Sequence, residues 1–322
     1  MPNKRIAISD LRDGMQVEQA FRVADKQLRV NRQGGKYILL RLEDRSGVIA
    51  AMMWNATEQT FDSFERSDFL LCRGRTQIHN GALQIIATTV ERMDPSEIDQ
   101  ADFDRFDQAK SKELIQRLRD LLQSVKDESL RKIGEAFMAD QQFMEAFALA
   151  PAAISHHHAF PGGLLQHTVD LMELASLIAP RYPQLDRDLL VYGAFLHDLG
   201  KVKEMAGSGE ATYSDRGQLV GHIVIGVQML GDKINEVAQA EGCLISENLR
   251  YQLEHLIVSH HGLMEYGSPR IPVTLEATVL HHLDNLDAKL ASYINVIESD
   301  VSVGGNWTNF NPGIGRKLWR GE

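Results

Sequence analysis

The chain has 322 residues, 43% of them hydrophobic and 24% charged, which is too apolar for a disordered protein and longer than one core usually organises. No apolar stretch is long enough to span a bilayer, the opening MPNKRIAISDLRDG lacks a signal-peptide centre, and Cys72 and Cys243 have no CxxC partner, so a reducing cytoplasm is expected and a membrane is not. The net charge of −10 speaks against a polyanionic partner but is uneven, with 14 Lys/Arg against 11 Asp/Glu up to Met93 and 20 against 33 beyond it.

The first segment reads as strands. Tyr37 to Leu42 is a β-rich run, Glu43-Asp44-Arg45-Ser46-Gly47 is turn chemistry, and Val48 to Trp54 is a second run. A third run, Phe69 to Ile78, leads into His79-Asn80-Gly81, and Asn-Gly between apolar runs predicts a hairpin returning over Leu83 to Val90. Short antiparallel strands in this number predict a small all-β barrel over residues 1–93. The acidic stretch after Asp94-Pro95-Ser96 reads as a linker, residues 94–110.

From Ser111 the pattern is helical, with Leu114, Leu118, Leu121 and Leu122 on one face. Helical runs continue through residues 111–300, broken by Pro151, Pro161-Gly162-Gly163, Pro183, the Gly207–Gly217 loop and Pro269-Arg270-Ile271-Pro272. Residues 301–322 form a tail, expected to pack on the helical domain.

Most of the 12 histidines cluster between positions 156 and 282, which neither random scatter nor core packing explains. The sharpest element is Phe195-Leu196-His197-Asp198-Leu199-Gly200-Lys201, at the end of an apolar helix that Gly200 is expected to terminate. His167 falls on an earlier helix and Asp284 on a later one, Val273 to Ile297. One imidazole, an adjacent His-Asp pair and a distant carboxylate form a mixed nitrogen/oxygen set suited to Mn²⁺, with Fe, Co, Ni or Mg²⁺ also compatible. His222 and His260, with His261 left open, could complete a second site, the Asp198 carboxylate bridging two ions. Two neighbouring ions clamp the attacking and leaving oxygens of a phosphoester and activate water at neutral pH. Lys201, three residues after Asp198, is placed to neutralise a phosphate oxygen. His156, His157 and His158 read as substrate-lining or structural, and His255 as a surface or core residue. His281, His282 and Asp287 read as supports behind the ligands.

His167, His197-Asp198 and Asp284, in that order, resemble the HD-domain phosphohydrolase superfamily over roughly residues 150–300. A closer resemblance, to the YhaM-type 3′–5′ exoribonucleases, rests on HHHAFPGGLLQHT (156–168), VSHHGLMEYGSP (258–269) and HHLDNLDAKL (281–290). Trp307-Thr308-Asn309-Phe310 and Gly315-Arg316-Lys317-Leu318-Trp319 look like that family's tail. The resemblance implies an N-terminal OB-like barrel joined to an all-α HD domain. It also implies metal-dependent hydrolysis of single-stranded RNA, with DNA the other candidate polymer, from the 3′ end to nucleoside 5′-monophosphates. The 3′-to-5′ direction comes from the resemblance alone. In an OB barrel, Ile38, Leu40 and Leu42 inward turn Tyr37 and Arg41 outward, and Ile49, Ala51 and Met53 inward turn Trp54 outward. With Arg73 on the third run these are the candidate base and phosphate contacts. Val48, Ala50 and Met52 would share that outer face, where an RNA-facing strand would carry charge; they point to packing on the helical domain or on a second copy. The rival readings are a hydrolase of small nucleotides and a non-catalytic single-strand-binding protein.

Overall fold

The structure is a computed structural model and describes residues 5–31, 34–79, 82–103, 108–153, 160–206, 212–242, 245–300 and 306–321. It divides into two compact units, Met1–Arg105 with Tyr293–Glu322, and Phe106–Ser292.

The first unit contains β1 (Gln16–Val30), β2 (Lys36–Asp44), β3 (Gly47–Trp54), the short helix α1 (Glu58–Asp62), β4 (Phe69–His79) and β5 (Ala82–Arg92). They close into a barrel in the order β1-β2-β3-β5-β4, antiparallel throughout except for the parallel β3–β5 pair. β1 serves two neighbours, its first half pairing with β4 and its second with β2, with a register shift between Val23 and Asp25 where it bends. β1 carries no apolar run that marks it as a strand, because its sequence QVEQAFRVADKQLRV is too polar. Its inward residues Val17, Phe21 and Val23 show the strand only once the barrel closes around them. Alternation on β2 and β3 follows the expected pattern, with Ile38, Leu40, Leu42, Ile49 and Ala51 buried. Asn80 and Gly81 lie outside the described residues, but the His79↔Ala82 register closes β4 onto β5 as expected.

The expected linker is partly structured. Phe103 is buried edge-to-face against Phe69, ring centroids 4.9 Å apart, and Arg5 lies 4.2 Å over the Phe103 ring. The stretch to Phe103 therefore packs against the outer side of β4. The tail, expected on the helical domain, groups instead with the barrel's unit. It closes locally on itself, Thr308 N–H donating to the Leu318 carbonyl at 2.8 Å, with Thr308 and Leu318 buried.

The second unit holds α2 (Gln108–Gln123), α3 (Glu128–Ala139), α4 (Gln141–Leu149), α5 (Gly163–Ile178), α6 (Arg187–Leu196) and α7 (Lys201–Glu204). The two-residue strands β6 (Met205–Ala206) and β7 (Thr212–Tyr213) pair beside α8 (Asp215–Glu241), followed by α9 (Glu247–Ser259) and α10 (Leu275–Ser299), whose last turns fall in the first unit. Asp127, Asp140, Asp186, Ser214 and Ser246 cap α3, α4, α6, α8 and α9, each side chain accepting a backbone N–H of the first turn. From Leu189 to Leu196, α6 is buried on every face, so it runs through the domain's centre and delivers whatever follows it into the interior.

Candidate metal centre

His197 and Asp198 follow directly from α6. α6 ends at Leu196, short of the stop expected at Gly200, and Gly200 is not a left-handed cap. Gly200 has right-handed angles, φ −60° and ψ −23°, and the chain passes through a tight turn straight into α7. Glycine is required there by space, because a Cβ would overlap the His222 carbonyl and crowd the Gly226 nitrogen. This close approach seats α8 against the HD turn.

The same contact explains His222. Gly221 breaks α8 with φ 76° and ψ 155°, a conformation open to glycine, so His222 begins a new helical segment. Its N–H donates to Glu204 Oε1 at 2.8 Å, and its Nδ1 lies 3.1 Å from the same oxygen. Glu204, on the last turn of α7, was not singled out from the sequence. Nothing local marks it, since its role exists only because α7 and α8 meet.

Every imidazole of the group is oriented in the same way. Nδ1 of His167 faces Asp287 Oδ2 at 2.7 Å, Nδ1 of His197 faces the Ala194 carbonyl at 2.8 Å, and Nδ1 of His260 faces the Ile257 carbonyl at 2.7 Å. Nδ1 of His261 faces the Tyr266 carbonyl at 2.8 Å. With a proton on Nδ1, each ring has an acceptor behind it, and the Nε2 atoms of His167, His197, His222 and His260 converge on Asp198 and Asp284. Such backing acceptors fix tautomer and ring angle in metal-ligating histidines.

Two clusters result. His167, His197 and Asp284 bring their ligand atoms within 4.8 Å of one another, as do His222, His260 and His261. Asp198 stands between them. Its Oδ2 lies 3.2 Å from His197 Nε2 and 3.9 Å from His167 Nε2, while its Oδ1 lies 3.4 Å from His222 Nε2 and 3.6 Å from His260 Nε2. His167 Nε2 is 3.2 Å from both Asp284 Oδ1 and His197 Nε2. Ligands held about 2.1 Å from one ion at tetrahedral to octahedral angles are separated by about 3.0 to 3.4 Å, so most of these distances suit donors around a common cation.

The electrostatics point the same way. Among the described residues, Asp198 Oδ1, His222 Nε2 and His260 Nε2 are buried without a hydrogen-bond partner and face one another, an arrangement costly unless a cation joins them. Burial works against ionised Asp198, but Lys201, whose Nζ lies 2.7 Å from Oδ2, and His197 hold it well below the usual carboxylate range. Burial likewise opposes the His167 cation, yet Asp284 and Asp287 push its pKa up to about 10. A proton thus does at His167 what a metal would do. His260 goes the other way, driven well down by burial and by His197. His261 is lowered by burial and by His222. Glu204, opposed by burial, is lowered by its bonds to His222. These donors therefore fit divalent cations.

Of the other candidates, His281 donates through Nδ1 to the His260 carbonyl at 2.8 Å, bracing α9 rather than Asp284, and His282 is exposed beside it. His255 accepts the Val273 N–H at 3.1 Å, a local structural bond. His156, His157 and His158 lie outside the described residues. On the barrel, Tyr37 and Trp54 are cross-strand partners with ring centroids 5.0 Å apart, and Arg41 is exposed on the same face. The Arg73 guanidinium is matched by Glu18 at 2.8 Å and Glu91 at 2.7 Å, so its charge is not free for a phosphate.

Residues 164–289 match the HD domain, and residues 21–93 match an OB-fold nucleic acid binding domain. A curated relative from Bacillus velezensis, named 3′-5′ exoribonuclease YhaM, is 34% identical over 287 residues, covering 88% of each chain. The chain belongs to the YhaM family. Its barrel also has solved neighbours. The second OB-fold domain of replication protein A from Methanococcus maripaludis is 19% identical and covers 28% of this chain and 94% of that one, with a TM-score of 0.24. PriB from Ralstonia solanacearum is 15% identical over 26% of this chain and 100% of that one, with a TM-score of 0.22. Likenesses this slight add nothing to the strand order. The family relationship joins both halves of this YhaM-family chain, the five-stranded barrel and the helical HD domain, in one enzyme architecture. Among the described residues no helix is long and apolar enough to cross a membrane.

Proposed function

We propose that this YhaM-family chain is a metal-dependent 3′–5′ exoribonuclease that hydrolyses single-stranded RNA to nucleoside 5′-monophosphates. The observation that carries the reading is the position of Asp198, whose two oxygens each face a separate histidine cluster. His167, His197, Asp284 and Asp198 Oδ2 would hold one divalent cation, and His222, His260, His261 and Asp198 Oδ1 a second, a mixed imidazole and carboxylate set compatible with Mn²⁺, Fe, Co or Ni. Bound there, the ions would supply Lewis-acid charge neutralisation and a water that ionises near neutral pH.

The protein's own groups do the rest. The His167, His197, Asp198 and His260 side chains are at most 4% exposed, whereas Asp284, Lys201 and His222 are 20%, 16% and 13% exposed. Substrate therefore approaches over the Asp284–Lys201–His222 side. Burial opposes the Lys201 ammonium, but Asp198 keeps it charged, so it presents a fixed cation to a non-bridging phosphate oxygen as charge builds in the transition state. Tyr37, Trp54 and Arg41 on the barrel supply stacking faces and a phosphate contact for the rest of the strand.

The test is incubation of the protein with a 5′-labelled RNA oligomer, with Mn²⁺ or with EDTA, beside an Asp198→Ala control. A metal-dependent ladder shortening from the 3′ end and absent in the variant is expected. An intact oligomer would refute the reading and direct the assay to DNA and small nucleotides.

A further inference from the structure

All three tryptophans of this chain, Trp54, Trp307 and Trp319, belong to the compact unit that holds the barrel, and all three are exposed, by 45%, 54% and 54%. An indole is on average largely buried in a folded protein, and Trp54 already has a place in the proposed RNA-binding face. Trp307 and Trp319 do not.

They sit opposite each other on a bridge between the two arms of the tail, edge-to-face with centroids 5.2 Å apart. The arms are held by Thr308 N–H to the Leu318 carbonyl at 2.8 Å, Leu318 N–H to Thr308 Oγ1 at 2.9 Å, and Arg320 N–H to the Asn306 carbonyl at 2.8 Å. At the tip, Asn311 N–H bonds the Arg316 carbonyl at 3.1 Å and Gly315 N–H bonds the Asn311 carbonyl at 2.8 Å. The Asn309 N–H donates to Asp300 Oδ2 at 2.9 Å, anchoring the hairpin to the residue that follows α10. Thr308 and Leu318 form a buried inner layer, while Trp307, Phe310 and Trp319 form an exposed outer one. Aromatic surface is thus presented outward on a hydrogen-bonded frame.

Charge selects the occupant. Residues 306–321 contain Arg316, Lys317 and Arg320 and no Asp or Glu, in a chain whose net charge is −10. The barrel's own cations are largely matched by carboxylates, as in Arg22–Glu43, Lys36–Glu58, Arg66–Asp25 and Arg92–Asp68, whereas Arg316 and Lys317 are exposed at the hairpin's end. Aromatic faces interleaved with cations, with no carboxylate among residues 306–321, suit a polyanion with flat bases.

We propose that this hairpin is a second single-strand platform, with Trp307, Trp319 and Phe310 stacking bases and Arg316 and Lys317 contacting phosphates. It deepens the function proposed above and rests on its assignment of single-stranded RNA as substrate. The hairpin adds grip on the strand and takes no part in bond cleavage.

The test uses the full chain carrying Trp54→Phe, so that only the tail tryptophans fluoresce, and Asp198→Asn, so that RNA stays intact. An oligouridylate of about 16 nucleotides, labelled for anisotropy, is titrated in at several salt concentrations. Saturable quenching of the tail fluorescence in step with the anisotropy is the expected result. Arg316→Ala with Lys317→Ala, which leaves the hairpin's backbone bonds in place, should lower the slope of log K against log salt by about 1.4. Trp307→Ala with Trp319→Ala, which removes two stacking faces, should raise Kd about 30-fold or more. An anisotropy change without quenching, with affinity and salt slope unaltered in the charge variant, overturns the platform and leaves the exoribonuclease reading standing. No anisotropy change at all overturns both. Quenching that grows with protein concentration in the absence of RNA overturns the platform in favour of a contact between copies of the chain.

Discussion

Glu204 offers the sharpest test of how the second cluster is built. Its Oε1 accepts the His222 backbone N–H at 2.8 Å and faces His222 Nδ1 at 3.1 Å, so one carboxylate sets both where the ring begins and which nitrogen points inward. Replacing Glu204 by Ala removes the charged acceptor. A hydrogen bond to a charged group is worth about 1.5–3 kcal/mol. Loss of a backing acceptor typically weakens metal affinity about 10- to 100-fold, which corresponds to about 1.4–2.7 kcal/mol, so the two scales agree. The backbone carbonyl of Glu204, which accepts the Ser214 N–H at 2.9 Å, is untouched, so the β6–β7 region should keep its fold. Equilibrium dialysis against Mn²⁺ with elemental analysis should find two ions per wild-type chain and, at the same free metal, a single ion in Glu204→Ala. The Mn²⁺ concentration giving half-maximal RNA hydrolysis should rise about 10- to 100-fold. Glu204→Gln retains an acceptor oxygen and loses only the charge, so its loss should be the smaller. If Glu204→Ala held two ions with affinity within about twofold of wild type, the argument that a backing acceptor positions His222 would fail.

Other outcomes follow from the same geometry. Gly200→Ala forces a Cβ into the His222 carbonyl and should destabilise the helical unit by about 3 kcal/mol or more, read as a fall of about 6–12 °C in its calorimetric transition. A transition unmoved by the substitution would show that α7 and α8 can separate. Trp54→Ala should raise the Kd for single-stranded RNA about 5- to 100-fold by anisotropy, and an unchanged Kd would remove the barrel face from the binding site. Burial pushes the Cys72 thiol up to about 12. The unfolded thiol ionises near ~8.5, so its contribution to stability is complete below that pH and lost as pH rises through about 12. In a Cys243→Ser background, Cys72 should therefore resist a disulfide reagent in the native protein at about pH 8 and react on unfolding. Rapid native reaction would contradict its burial in the barrel.

Much of this molecule is legible from local pattern. Period-two alternation on β2 and β3 placed Ile38, Leu40, Leu42, Ile49 and Ala51 in the barrel core, because a strand's faces are set by the backbone alone. The spacing of His167, His197-Asp198 and Asp284 named four of the positions that meet, and imidazoles concentrated in this way have few uses other than ligation. What local pattern missed depends on packing between distant elements. β1 is recognisable only as the strand that β2 and β4 share. Gly200 reads as a helix stop in sequence and proves to be the clearance that lets α8 approach. The role of Glu204 follows from that approach, and Asp287 was narrowed to a backing acceptor only by its bond to His167 across 120 residues. The tail, expected against the helices, groups with the barrel's unit and closes on itself through hairpin bonds that join residues 306–311 to 315–320. Residue type and spacing thus determined which atoms could bind a cation. Which of them face one point, and which carboxylate lies between the two clusters, was decided only when α5, α6, α8, α9 and α10 packed, because convergence is a property of side-chain direction in three dimensions.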